Sequence, residues 1–118
     1  MRSHAAAAVR LWEDAGYAEA EQTVAAIMHD PAAAPISDRE RLLMHTVELW
    51  TVRRDELDQR SIDALLLMGW EQNQIYEANA VCSLFCFYNA WVDNNGVENM
   101  SETSYRASGK RLAEGGYL

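Results

Sequence analysis

The stretch Glu71-Gln-Asn-Gln-Ile-Tyr-Glu-Ala-Asn-Ala-Val-Cys-Ser-Leu-Phe-Cys-Phe-Tyr-Asn-Ala-Trp-Val-Asp-Asn-Asn-Gly96 decides the fold. It reads as one helix over 72–94, polar at its start, apolar nearly all round in its middle, and stopped by Asn95-Gly96. Residues 75, 78, 82 and 86 cover one face, and 85, 88, 91 and 92 cover a neighbouring one. Trp70, Tyr76, Phe85, Phe87, Tyr88 and Trp91 crowd this helix and its lead-in. A helix apolar on most sides is either the central element of a bundle or an element shared between subunits. Large aromatics concentrate at interface cores, so the sequence predicts a homo-oligomer assembled through 72–94. The other reading is a core wholly within one chain.

Working outward, the preceding Gly69 ends a short helix over 58–68, with Asp58 as its cap and Ile62, Leu65 and Leu66 inward. Before that, Ser37-Asp-Arg-Glu40 fits a reciprocal capping box that opens a helix running through Leu42, Leu43, Val47 and Trp50 to about Arg53. Ile36 is placed to staple onto its first turn. The loop from Asp30 to Ile36 holds both prolines, Pro31 and Pro35. Two more helices are expected at 3–14, with the stripe Ala5, Ala8, Leu11 and Trp12, and at 18–29, with Val24, Ile27 and Met28 inward. A sixth is expected over 101–113. No run of alternating β-branched residues competes. The fold class expected is all-α, a compact bundle of five to six helices forming one domain over 1–118.

Composition excludes several functions. The net charge of −8 is the wrong sign for a phosphate backbone, and the one basic pair, Arg53-Arg54, is followed at once by acids, so nucleic acid is not a partner. No segment is apolar for the ~18 residues a membrane span needs, and the N-terminus lacks the apolar core of a secretory signal. A cytoplasmic location without membrane contact is expected.

Candidate chemistry is sparse. Cys82 and Cys86 stand four residues apart in mid-helix, where Cβ atoms are roughly 5–6 Å apart, against the roughly 3.5–4.5 Å of a disulfide. They do not form Cys-x-x-Cys and are far from a helix N-terminus that would lower a thiol pKa, so buried apolar thiols are the plainer reading. A redox role is the sharper one. His4, His29 and His45 lack metal-ligand spacing, and no metal or cofactor is expected. His45 shares a stripe with Leu42 and Leu49, which reads as a packed histidine, with a proton relay as the alternative. Glu77 is a candidate proton relay if it lies inside the bundle, and an ordinary surface acid otherwise.

Taken in order, Ile36-Ser-Asp-Arg-Glu-Arg-Leu-Leu-Met44, Asp58, Ala64-Leu65, Gly69-Trp70-Glu71, Ile75, Glu77-Ala78, Ala80-Val81, Leu84-Phe85, Phe87-Tyr88-Asn89, Asp93 and Gly96-Val97 resemble the alkyl hydroperoxidase D-like, or carboxymuconolactone decarboxylase, superfamily. The likeness is to its peroxidase-related branch and is strongest over 36–97. The resemblance implies a helical fold of that type, a homo-oligomer, and antioxidant reduction of peroxides by thiols. Active members resemble one another in a Glu, then Cys-x-x-Cys, then a His four residues after the second Cys.

Here only His4 matches that segment; the Cys pair would fall before Met1 and is absent from this chain. Ala90 replaces the Arg usual after the Asn of the long helix, and Cys86 stands where the branch often has Asn or a small residue. Either the chain has lost the redox centre or its natural start lies further upstream. The enzyme reading leaves Cys82 and Cys86 as thiol candidates, with His4, His45 and Glu77 as proton relays. The alternative is a catalytically degenerate oligomeric scaffold that binds a small apolar ligand or a protein partner. Lactone decarboxylation has only the superfamily name behind it.

Overall fold

A computed structural model describes residues 2–116. Six α-helices occur in the order α1 (Arg2–Asp14), α2 (Ala20–His29), α3 (Asp38–Thr51), α4 (Gln59–Leu67), α5 (Gln72–Asn94) and α6 (Glu102–Gly115). A short 3-10 turn, Arg54–Glu56, lies between α3 and α4. The described residues contain no strand, so the protein is all-α. None of their helices is long and apolar enough to cross a membrane. The chain divides into two compact units, one of residues 1–35 with 98–118 and one of Ile36–Val97.

In the first unit, α1 packs against both α6 and α2. Small residues allow close approach: Ala7 of α1 and Gly109 of α6 are both buried, as are Ala20 and Val24 of α2. Leu11 and Met28, expected inward, are each 51% exposed. The apolar stripes of these helices are wider than the surface their neighbours cover, and both residues lie on the uncovered margin. Glu19 precedes α2 with φ 59°, a left-handed conformation rarely taken by a residue with a Cβ.

The second unit is built on Trp50, Leu65 and Ile75, one residue from each of α3, α4 and α5. Leu42, Leu43, Val47, Ile62, Trp70, Ala78 and Cys82 pack around them. Each helix start is specified locally. Ser37 Oγ accepts from the Glu40 amide at 3.2 Å while Glu40 Oε2 accepts from the Ser37 amide at 2.8 Å, completing the box. Asp58 Oδ1 accepts from the Ser61 amide at 3.1 Å.

Between α4 and α5 the chain must reverse within a few residues. Gly69 does this at φ 86°: its amide donates to Leu66 O at 3.0 Å and the Trp70 amide to Leu65 O at 3.1 Å, a pair that closes the last carbonyls of α4. The turn is then tied to the start of α3. Arg39 Nη2 donates to Gly69 O at 3.1 Å, its guanidinium lies 4.1 Å from the Trp70 ring centre, and Trp70 Nε1 donates back to Arg39 O at 3.1 Å. Gln74 Oε1 accepts from the Glu71 amide at 3.0 Å and fixes the first turn of α5.

Candidate functional site

The two faces of α5 have different fates. Ile75, Ala78 and Cys82, spaced three and four residues apart, form the row that enters the core. The other side is uncovered. Leu84 (51% exposed), Phe87 (59%), Tyr88 (52%) and Trp91 (61%) follow one another at helical spacing as a single outward stripe, with Val81 at its upper end. Phe87 and Trp91 stack with centroids 6.3 Å apart and planes 29° apart, and Phe87 meets Tyr88 edge-on at 5.6 Å. At these exposures the three rings alone present roughly 250–450 Å² of aromatic surface. Adding Leu84 and Val81 brings the patch to the upper range found on monomeric proteins. Within its own unit, α3 and α4 leave this half of α5 uncovered.

Cys82 and Cys86 are both free thiols, each partly buried, one helical turn apart. Burial against the core pushes the Cys82 thiol above its ordinary value of 9.0; the neighbouring Cys86 adds to the rise, and Arg54 offsets only a little of it. At neutral pH this sulfur is protonated, and the thiolate is the nucleophile.

His45 is not packed. Its side chain is about half exposed, with Nδ1 3.8 Å from Glu48 Oε2. The inward row of α3 runs through Thr46, Leu49 and Trp50, which leaves position 45 on the outer margin. His45 heads a short ionic chain: Arg53 Nη1 reaches Glu48 at 3.6 Å, Arg53 Nε donates to Glu56 Oε1 at 2.8 Å, and Arg53 Nη2 also pairs with Glu56. The hydrogen bonds from Arg53 hold the Glu56 carboxyl below its ordinary range and raise the guanidinium in turn. Arg54 Nε donates to Trp50 O at 2.7 Å. These contacts satisfy the end of α3 and order the 3-10 turn after it, a structural task.

Glu77 is exposed on α5. His4 lies in the first turn of α1, in the other unit, where burial lowers its imidazole pKa and favours the neutral ring. Of the five candidate residues, only the two thiols are brought together within the second unit, and they are brought together by the pitch of one helix. Among the described residues, no cluster of three or more His, Cys, Asp or Glu side chains is placed to hold a metal ion.

The sequence groups 85, 88, 91 and 92 on one face, whereas the outward stripe is Leu84, Phe87, Tyr88 and Trp91 and Phe85 is partly buried. The Arg39–Trp70 clasp was not visible in the sequence, because an arginine followed thirty-one residues later by a tryptophan carries no periodic signal. No protein-family model, curated protein or solved structure matches this chain.

Proposed function

We propose that this chain is a non-catalytic helical scaffold that assembles as a homo-oligomer by pairing the outer stripe of α5 with the same stripe of a second copy. The observation that carries the reading is the run of half-exposed Leu84, Phe87, Tyr88 and Trp91 on the side of α5 away from the row Ile75, Ala78 and Cys82 that enters the core. The stripe suits a copy of itself: across α5 only Glu77 and Asp93 are charged, so two such faces meet without burying an unpaired charge near the rings. The family resemblance fits as that of a degenerate member that keeps the helices of 36–97 without the redox centre.

Sedimentation or light scattering at micromolar concentration tests this. The expected mass is a multiple of 13.3 kDa. Phe87→Ser with Trp91→Ser should return it to a single chain with helical circular dichroism intact, since both side chains are exposed in one copy. A wild-type protein that stays monomeric sinks the proposal.

A second reading keeps the thiols as peroxide-reducing groups, favoured by two free thiols standing one helical turn apart on α5. In it, one thiolate attacks the peroxide, releasing the alcohol and becoming a sulfenic acid. The second thiol condenses with it, releasing water and leaving a disulfide that an external dithiol reduces. Helical pitch sets these sulfurs apart from disulfide geometry, so the step requires α5 to unwind locally. Peroxide consumption in the presence of a dithiol should then vanish in both Cys82→Ser and Cys86→Ser; turnover unchanged in the two variants removes this reading.

A further inference from the structure

The first unit contains an open groove of about 670 Å³, within the range of small-molecule sites. Its walls come from α1, α2 and α6, and its apolar surface from Ala5, Ala6, Val9, Val24, Ala25 and Met28. The small alanines make the trough; larger side chains would fill it. From Glu21 to Met28 on α2, and from Glu13 to Ala5 on α1, the helices advance about 10–12 Å.

The charged groups that line the groove are unevenly engaged. Arg10 is paired with Asp14 at 3.2 Å, Lys110 sits 3.8 Å from Glu114, and Glu102 has a contact of its own. Three lining charges have no ionic partner among the described residues: Glu13, Glu21 and Arg106. The two acids flank the connection between α1 and α2, within two residues of the helix ends at Asp14 and Ala20, so they occupy one end of the trough. Val9 and Val24 lie about a helical turn further in on either helix, and Ala5 with Met28 beyond them. Along the α1 and α2 walls the order is therefore two carboxylates, then apolar surface.

We propose that this groove binds an amphipathic cation, an ammonium head at Glu13 and Glu21 with an apolar body about 10 Å long laid against Val9, Val24 and Met28. Apolar contact supplies most of the affinity and is blind to the head group. The carboxylates choose the sign, weakly because they are exposed, and the net charge of −8 acts in the same direction. Arg106, which also lines the groove, opposes the choice, and the ammonium is assigned to the two carboxylates at the α1–α2 end.

The probes are octylammonium, octanoate and 1-octanol, each below its aggregation limit, titrated calorimetrically into the whole chain at low salt. Octylammonium should bind at least ten-fold more tightly than octanoate, with the alcohol between. Glu13→Gln with Glu21→Gln should bring ammonium and alcohol within about three-fold of each other and leave the alcohol unchanged. Ala25→Trp, an exposed substitution that fills the trough, should abolish binding of all three while helicity is retained. Octanoate binding as well as octylammonium, no octylammonium binding at all, or binding indifferent to Ala25→Trp each overturns the proposal. The result is independent of α5 pairing, because α5 contributes nothing to the groove.

Discussion

Leu65 is the residue on which the second unit should prove most dependent. It is fully buried, 0% exposed, and clusters with Trp50 and Ile75 where α3, α4 and α5 share a core. The helix that carries it has nine residues, too few to persist without tertiary support. Leu65→Ala removes the transfer gain of the isobutyl group and leaves a void. Trp50 is rigid and Leu65 is ringed by partners from three helices, so little collapse is available and a loss of about 3–4 kcal/mol is expected. A unit of roughly 60 residues has only about 3–9 kcal/mol in hand. The variant should therefore lose a third or more of its stability, a fall of about 2–3 M in urea midpoint at the slope usual for a small domain. Tryptophan fluorescence reports it directly, since Trp50 and Trp70 lie in this cluster; Trp12→Phe and Trp91→Phe remove the other two signals. Leu67→Ala is the control on the same helix: at 88% exposure it should shift stability by no more than about 0.5 kcal/mol. A Leu65→Ala cost under 1 kcal/mol, or one equal to that of Leu67→Ala, would refute the assignment of this core.

Ser37→Ala should cost about 1 kcal/mol by opening the capping box. Hydrogen bonds from Ser37 hold the Glu40 carboxyl below its ordinary 4.5, so that contribution is complete above pH 4.5 and disappears as pH falls through the lower folded value; urea titrations of both proteins should differ less in acid than at pH 7. Trp70→Phe deletes the Nε1 donation to Arg39 O and weakens the stacked guanidinium, for about 1–2 kcal/mol by the same assay, and an unchanged midpoint would remove the clasp from the account. Glu19→Gly relieves a left-handed φ of 59° and should raise the melting temperature by a few degrees in calorimetry; a lower one would mean that the side chain offsets the strain. Cys82 should react with iodoacetamide at pH 8 more slowly in the folded chain than in urea, because burial favours the thiol over the thiolate, and equal rates would count against a buried sulfur.

Local signals were legible and coverage was not. The span 72–94 coincides with α5, Ser37-Asp-Arg-Glu40 with the capping box, Asp58 with the cap of α4, and Gly69 with the reversal after it. Each is settled within a few residues by backbone hydrogen bonding. Met28, His45 and Leu66 are different: periodicity assigned them to inward faces, and all three are exposed. A helical stripe says which residues point the same way, but the width actually covered depends on how many helices arrive and at what angle. The candidate site was unreadable for the same reason. His45 was given a packed environment by its neighbours in sequence, when its environment is set by Glu48 and the Arg53–Glu56 pair beyond the end of α3.

Helix lengths explain why α5 emerges half covered. Its 23 residues extend about 34 Å, whereas the 14 of α3 and the nine of α4 extend about 21 and 13 Å. Neither partner can reach the far end of α5, and about 13 Å, close to nine residues, must project past α3 even with their starts aligned. Arg39 and Trp70 tie those starts together, so the overhang falls at the C-terminal end, where Phe87, Tyr88 and Trp91 sit. Cys82 belongs to the last covered turn: it is the final residue of the row that meets the core, and Cys86 is one turn beyond. The two thiols thus mark a boundary along the helix. The buried side of it explains a sulfur with a raised pKa, and the far side explains an aromatic stripe that α3 and α4 are too short to cover.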